Sequence, residues 1–273
     1  MNLRNNNFPL EKFNKTGVSF PISVLDLKEL IQFQNSFEDF ESIFDGRPTA
    51  QQMKQLHLFF PWAYQLVTHP GILNIIEQIL GPDIIVHSSS IFCKYPNDPS
   101  FVSWHQDGFY LDLNKSKLVS AWVALSNSTS ENGCLRVMPG THLKKYKHKE
   151  EYQKNNMLTT GLTIGESMDE SVAVEIELQA GELSLHHVNI IHGSNPNSTE
   201  NKRIGFAIRY ITPDVCQKLT HYDVVLVRGE DQFHHYNLMK SIPEGTLKEC
   251  QKRQATFHEN YLKEREKQIT KVL

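Results

Sequence analysis

Trp104-His105-Gln106-Asp107 is the stretch from which the rest of this chain is read. It sets an imidazole and a carboxylate two residues apart. Side chains at i and i+2 of an extended strand share a face. On that reading His105 and Asp107 offer one nitrogen and one oxygen to a common point. That is two thirds of a two-His-one-carboxylate set, the arrangement that leaves three positions open on a non-haem Fe(II). The missing imidazole has to come from far along the chain, and His186, His187 and His192 compete for the place. His186 and His192 share strand parity; His187 does not. The two residues after His192 favour it: Gly193 permits close backbone approach, and Ser194 offers a hydroxyl. His186 remains the rival.

Past the turn-rich run Asn195-Pro196-Asn197-Ser198, residues 203–211 alternate cleanly. Ile204, Phe206, Ile208 and Tyr210 form a core face. Arg203, Gly205, Ala207 and Arg209 form the other, with a guanidinium at each end and room for a ligand between. This strand is expected to pair antiparallel with the one bearing His192. A planar guanidinium suits a carboxylate through two parallel hydrogen bonds. An iron set with an arginine one hairpin away implies a co-substrate that chelates metal and carries a distal carboxylate. 2-Oxoglutarate does both, its C1 end at the iron and its C5 carboxylate at the arginine.

The 273 residues are 39% hydrophobic and 22% charged, an ordinary globular composition. A net charge of -3 gives no reason to expect nucleic acid or an anionic membrane as partner. No apolar run approaches the roughly 20 residues that span a bilayer. Met1 to Lys15 is polar and Asn-rich without a signal-peptide core, so a cytoplasmic protein is expected. Cys93, Cys134, Cys216 and Cys250 are scattered, which speaks against a disulfide framework or a zinc site.

Residues 8–20 read as an extended lead-in. Helices are expected over 23–44, 50–68 (interrupted by Pro61) and 71–80, the last stopped by Gly81-Pro82. Short strands follow over 84–95, 101–109, 118–126, 133–138, 172–178, 182–187, 192–194 and 203–211. The charged run 144–156 reads as a solvated helix or loop, or as a lid. A Lys/Glu-rich helix is expected over 244–271. The whole reads as one α+β domain, 1–273: a helical N-terminal segment over 1–82, a β core at about 83–212 and a C-terminal extension 213–273.

Three stretches together carry a resemblance: Trp104-His105-Gln106-Asp107, the run from Asn132-Gly133-Cys134 to Pro139-Gly140-Thr141-His142, and His192-Gly193-Ser194 followed by Arg203. The chain resembles the phytanoyl-CoA dioxygenase family of Fe(II)/2-oxoglutarate-dependent oxygenases from about Phe13 to Ile211. The resemblance implies a double-stranded β-helix (cupin-like jelly roll) with surrounding helices. It implies iron held by His105, Asp107 and His192, and 2-oxoglutarate held by Arg203 and Ser194. It puts Trp122 near the co-substrate, although core packing would equally explain that residue, and has Gln106 and His87 approach it. A family lysine that reaches the co-substrate has no secure match; Lys54 and Lys94 lie nearby in sequence. Halogenating members lack the carboxylate ligand, and here Asp107 is present.

The implied activity uses O2 to hydroxylate an unactivated C–H of a small molecule, free or carrier-bound, with release of succinate and CO2. Natural-product or amino-acid tailoring fits best. Desaturation, epimerisation or cyclisation would use the same cofactor. A non-catalytic cupin-like metal-binding module and a zinc hydrolase are the rivals from other classes, the latter with no need of Arg203. Phe109, Arg136 and Arg209 are the candidates for substrate contact. His142 reads as a turn residue.

Overall fold

Apolar residues at helical spacing build the first third of the chain, and the computed structural model describes residues 8–111, 113–158, 161–217 and 223–272. Helix α1 (Leu10–Thr16) and strand β1 (Val18–Ser23) stand where an extended lead-in was expected. Helix α2 (Leu27–Ser42) starts at a capping box: the Glu29 amide donates to the Asp26 carboxylate at 2.8 Å, and the Asp26 amide to Glu29 at 2.9 Å. No long helix covers 50–68. Turns and one 3-10 turn (Leu56–Leu58) lead into helix α3 (Pro61–Val67). Pro61 begins this helix instead of interrupting it, because the first helical position has no intrahelical partner for an N–H. Helix α4 (Pro70–Leu80) ends at Gly81.

The β core follows as β2 (Ile84–Lys94), β3 (Val102–His105), the short helix α5 (Asp107–Leu111), β4 (Leu118–Ala124) and β5 (Leu135–Met138). Then come β6 (His148–Glu150), β7 (Leu162–Ile164), β8 (Val174–Ile176), β9 (Glu182–His187), β10 (Ile191–Ser194) and β11 (Arg203–Ile211). Strand β12 (Val225–Arg228) lies in a segment expected to be irregular, and helix α6 (Leu247–Val272) closes the chain. The charged run at 144–156 forms no helix; its β6 pairs with β7.

Besides the β6–β7 pair, the described residues form two larger antiparallel sheets, ordered β1-β9-β4-β11-β2-β12 and β3-β10-β5-β8. They share a buried cluster that includes Val18, Trp122 and Ala207 from the larger sheet and Leu135, Val137 and Ile176 from the smaller. The larger sheet's other face (Val119, Val123, Phe206, Ile208, Tyr210) packs with Phe33, Phe37, Phe40, Leu66 and Ile76 of the helices. The Tyr210 hydroxyl donates to the Val67 carbonyl at 2.8 Å, tying α3 to β11. This is a double-stranded β-helix with helices outside it. The core face expected for 203–211 is the helix-packed face, so the arginine face turns in between the sheets. Among the described residues, no helix is long and apolar enough to cross a membrane.

One expectation about connectivity is corrected. β10 and β11 are not hairpin partners: β10 lies between β3 and β5, and β11 between β4 and β2. The polar turn after Ser194 carries the chain from one sheet to the other. Arg203 therefore meets the His192 strand across the interior and not along a ladder.

Candidate active site

His105 ends β3 and is paired in register with His192 of β10. Directly paired residues on neighbouring strands project to one face, which brings together imidazoles far apart in sequence. Gly193 allows the approach: a Cβ there would stand 2.8 Å from the Val102 carbonyl oxygen. Asp107 arrives by a different route from the one its spacing suggests. The strand stops at His105, and Asp107 is the first residue of α5. The turn at Gln106 swings its carboxylate back over the histidines.

The three donors lie within 4.8 Å of one another. Asp107 Oδ1 is 3.3 Å from His105 Nε2 and 3.9 Å from His192 Nε2. Ligands about 2.1 Å from a metal and at right angles stand about 3 Å apart, so the set fits one ion with modest adjustment. Each histidine is oriented from behind. His105 Nδ1 lies 2.9 Å from the Ser103 carbonyl and His192 Nδ1 3.1 Å from that of Ile190. A carbonyl only accepts, so both Nδ1 atoms donate, and each Nε2 is turned toward the carboxylate. Burial, reinforced by neighbouring His105, holds the His192 imidazole well below its ordinary pKa, in the neutral form a metal needs.

The far side of Asp107 belongs to Arg209. Arg209 Nε donates to Oδ2 at 3.0 Å and Nη2 to Oδ1 at 3.4 Å. The Tyr110 hydroxyl donates to Oδ1, and Arg209 Nη2 to the Tyr110 oxygen at 3.2 Å. Burial would raise the Asp107 pKa, but the Arg209 guanidinium beside it holds it well below the carboxylate range. Asp107 is thus ionised before any metal arrives.

Beside the donors opens a cavity of about 530 Å³ including its mouth, lined by Trp122, Leu135, Leu158, His186, Ser194 and Arg203 among others. Arg203 is 2% exposed. Its Nη1 donates to the Phe92 carbonyl at 3.2 Å, while its Nε has no partner among the described residues. Its guanidinium lies 5.4 Å from the Trp122 ring. Among the described residues no carboxylate pairs with it. Burial lowers its pKa only to about 10, so it stays charged. A buried cation without a counter-ion is costly, and an anion entering this cavity would relieve that cost. The room foreseen beside Gly205 is taken by Trp122, whose ring would stand 1.8 Å from a Cβ at that glycine. His186, the rival ligand, is buried, 4.9 Å ring to ring from His192, with Nδ1 unpaired. It lines the cavity but lies outside the three-donor cluster.

The other residues singled out by sequence lie elsewhere. The Gln106 amide is used on the protein, donating to the Lys144 carbonyl at 2.8 Å and accepting from the Tyr146 amide at 2.9 Å. His87 is within 2.9 Å of Gln217 Oε1 and edge-on to Tyr236, outside the cavity wall. Arg136 reaches Glu170 at 3.4 Å and Glu175 at 3.8 Å and lies over Trp104. Phe109 is 49% exposed and stacks on His148 with ring centres 4.1 Å apart. His142 contacts the Asn14 carbonyl at 3.0 Å, fixing a turn. Sequence reasoning did not find the clamp of Arg209 and Tyr110 on Asp107. The available signal was parity, since Arg209 shares the inward face of β11 with Arg203.

Two imidazoles and a carboxylate on a double-stranded β-helix, with open positions beside them, define a class, the non-haem Fe(II) oxygenases. Comparison with known proteins narrows it. The sequence matches the phytanoyl-CoA dioxygenase (PhyH) family over residues 25–205. The chain belongs to this family of Fe(II)- and 2-oxoglutarate-dependent enzymes. It is 26% identical over 186 residues to a probable alpha-ketoglutarate-dependent hypophosphite dioxygenase of Stutzerimonas stutzeri, covering 66% of this chain and 65% of that one. It is 26% identical over 219 residues to the peroxisomal phytanoyl-CoA dioxygenase of Homo sapiens, covering 78% of this chain and 60% of that one. The chain thus spans under two thirds of these relatives. Among solved structures it is similar to apo ThoJ, a non-heme monooxygenase, with a TM-score of 0.80 and 30% identity over 96% of this chain and 99% of that one. CytC3 with Fe(II) and alpha-ketoglutarate shares the fold at a TM-score of 0.65 and 21% identity, over 89% of this chain and 95% of that one.

Proposed function

We propose that this protein is an Fe(II)/2-oxoglutarate-dependent hydroxylase of a small molecule. The observation that carries the reading is the buried Arg203 guanidinium, without a carboxylate partner among the described residues, in the same cavity as three preset metal donors. His105, Asp107 and His192 would hold the iron, and Arg203 the distal carboxylate of the co-substrate. Bound Fe(II), with 2-oxoglutarate and O2, supplies the oxidising power to hydroxylate an unactivated C–H, releasing succinate and CO2.

The chain's residues orient and exclude. Arg209 and Tyr110 fix the Asp107 carboxylate, so one oxygen faces the imidazoles. Arg203 and Ser194 set the distance of a dicarboxylate from the donors. Trp122, Leu135 and Leu158 wall the cavity and keep water from it. The apolar walls formed by Phe92, Trp122 and Leu158 suit an apolar or partly apolar small molecule, free or carrier-bound.

Arg203→Ala should raise the 2-oxoglutarate concentration needed for half-maximal succinate formation by about tenfold or more. An unchanged requirement rejects the role of Arg203. Product mass separates outcomes: gain of one oxygen supports hydroxylation, loss of two hydrogens points to desaturation or cyclisation, and an unchanged mass points to epimerisation.

A further inference from the structure

Lys94, the last residue of β2, has no exposed surface (0%). It lies directly opposite Arg203 in the β2–β11 register. Like charges opposed across two strands repel, and burial removes the water that would screen them. Among the described residues, no carboxylate lies within ion-pairing distance of Lys94 either. Its ammonium instead donates to Ser194 Oγ at 2.7 Å and to the Asn195 carbonyl. The turn at Asn132-Gly133 closes over it: Gly133 has φ +75°, and a Cβ there would stand 3.0 Å from Lys94 Nζ and 2.2 Å from the Asn195 carbonyl oxygen. Lys94 does not line the cavity. Ser194 and Arg203 do.

A hydroxyl has one proton to give and lone pairs to receive, whereas an ammonium can only give. With Lys94 donating to Ser194 Oγ, the Ser194 proton is free to point into the cavity. We propose that Lys94 is a positioning residue of the carboxylate site: it turns the Ser194 hydroxyl toward the anion held by Arg203 and adds a second positive charge behind it, selecting a 2-oxo dicarboxylate over a 2-oxo monocarboxylate. This rests on the co-substrate reading above and extends it to a residue outside the cavity wall. The groups facing the amine are Arg203 on β11, Ser194 on β10, Asp98 after β2 and Cys134 before β5. Burial first, and Arg203 second, push the Lys94 amine down to about 6. An arriving carboxylate acts in the opposite sense, so the amine takes up a proton as the dicarboxylate binds.

The test is calorimetric titration of the Mn(II)-loaded protein with 2-oxoglutarate and with 2-oxopentanoate, which lacks the distal carboxylate. Lys94→Met should weaken 2-oxoglutarate by about tenfold or more and leave 2-oxopentanoate unchanged. Ser194→Ala should do the same, and the double variant should be no weaker than Lys94→Met alone, because one acts through the other. Equal losses for both ligands, or additive losses in the double variant, overturn the proposal. Failure of the wild type to prefer 2-oxoglutarate, or an Arg203→Ala variant that keeps the preference, sinks the co-substrate reading instead. A second measurement needs no Lys94 variant. The wild-type affinity ratio of the two ligands should fall as pH rises from about 6 to 8.5, since free Lys94 then loses its proton; titration of the metal ligands cancels in the ratio. A flat ratio contradicts the proposal.

Discussion

Asp107 has two carboxylate oxygens and more than two claimants. Oδ1 faces both imidazoles, while Arg209 reaches across to Oδ2. In the metal-free protein Arg209 is the strongest charge compensating this buried anion. Breaking a buried ion pair from one side costs about 3–5 kcal/mol. Arg209→Met should destabilise the metal-free protein by that order, and Fe(II) should restore more stability to the variant than it adds to the wild type. Anaerobic melting curves with and without Fe(II) check this; equal metal-induced shifts contradict it. Sequence spacing reached Asp107 through strand parity, although the residue actually begins a helix. It placed Arg209 on the inward face of β11 but not against Asp107, because the two are 102 residues apart. Lys94 carried no spacing signal, being one lysine at a strand end.

Strand β11 shows what alternation can and cannot reveal. Its two faces were legible, since period-2 patterning is local. Its neighbours were not, because pairing depends on where the chain turns, and the turn after Ser194 changes sheets. The apparent vacancy at Gly205 was misread for a related reason: the indole that fills it comes from β4, whose Trp122 sits beside Gly205. Gly205→Ala should therefore displace Trp122, lower stability by about 1–3 kcal/mol through overpacking and weaken 2-oxoglutarate binding. Urea unfolding combined with co-substrate titration checks both. An alanine variant of wild-type stability and affinity would mean the indole is not held there. Pro61 teaches the same lesson for helices, since one residue reads as a breaker or a start depending on which side the helix lies.

The whole molecule has a large sheet packed by helices on one face and closed by a smaller sheet on the other. His57 and His87 are buried with no exposure (0%). Burial pushes His57 down to about 3 and His87 to about 4. Unfolded, both take up a proton near their ordinary value of 6.5. Between those values the unfolded state binds more protons, so stability rises with pH, by up to about 1.4 kcal/mol per unit for each group. It is complete above about pH 6.5 and is lost as pH falls toward about 4. Urea midpoints over that range check the sign, and His57→Asn should flatten the slope by about one proton; an unchanged slope assigns the acid sensitivity elsewhere. The helix-then-strand order was visible in the sequence, which is why the fold class was legible. Strand β12 was not, as its four residues lack a marked alternation.

The proposed site joins three preset donors and a buried arginine around iron and 2-oxoglutarate. Anaerobic titration of the Fe(II)-loaded protein with 2-oxoglutarate, followed by visible absorption, tests it most directly. A weak metal-to-ligand charge-transfer band should grow to saturation, be lost in His192→Ala, and require much more 2-oxoglutarate in Arg203→Ala. A protein that binds Fe(II) but gives no band, or a band indifferent to both substitutions, contradicts it.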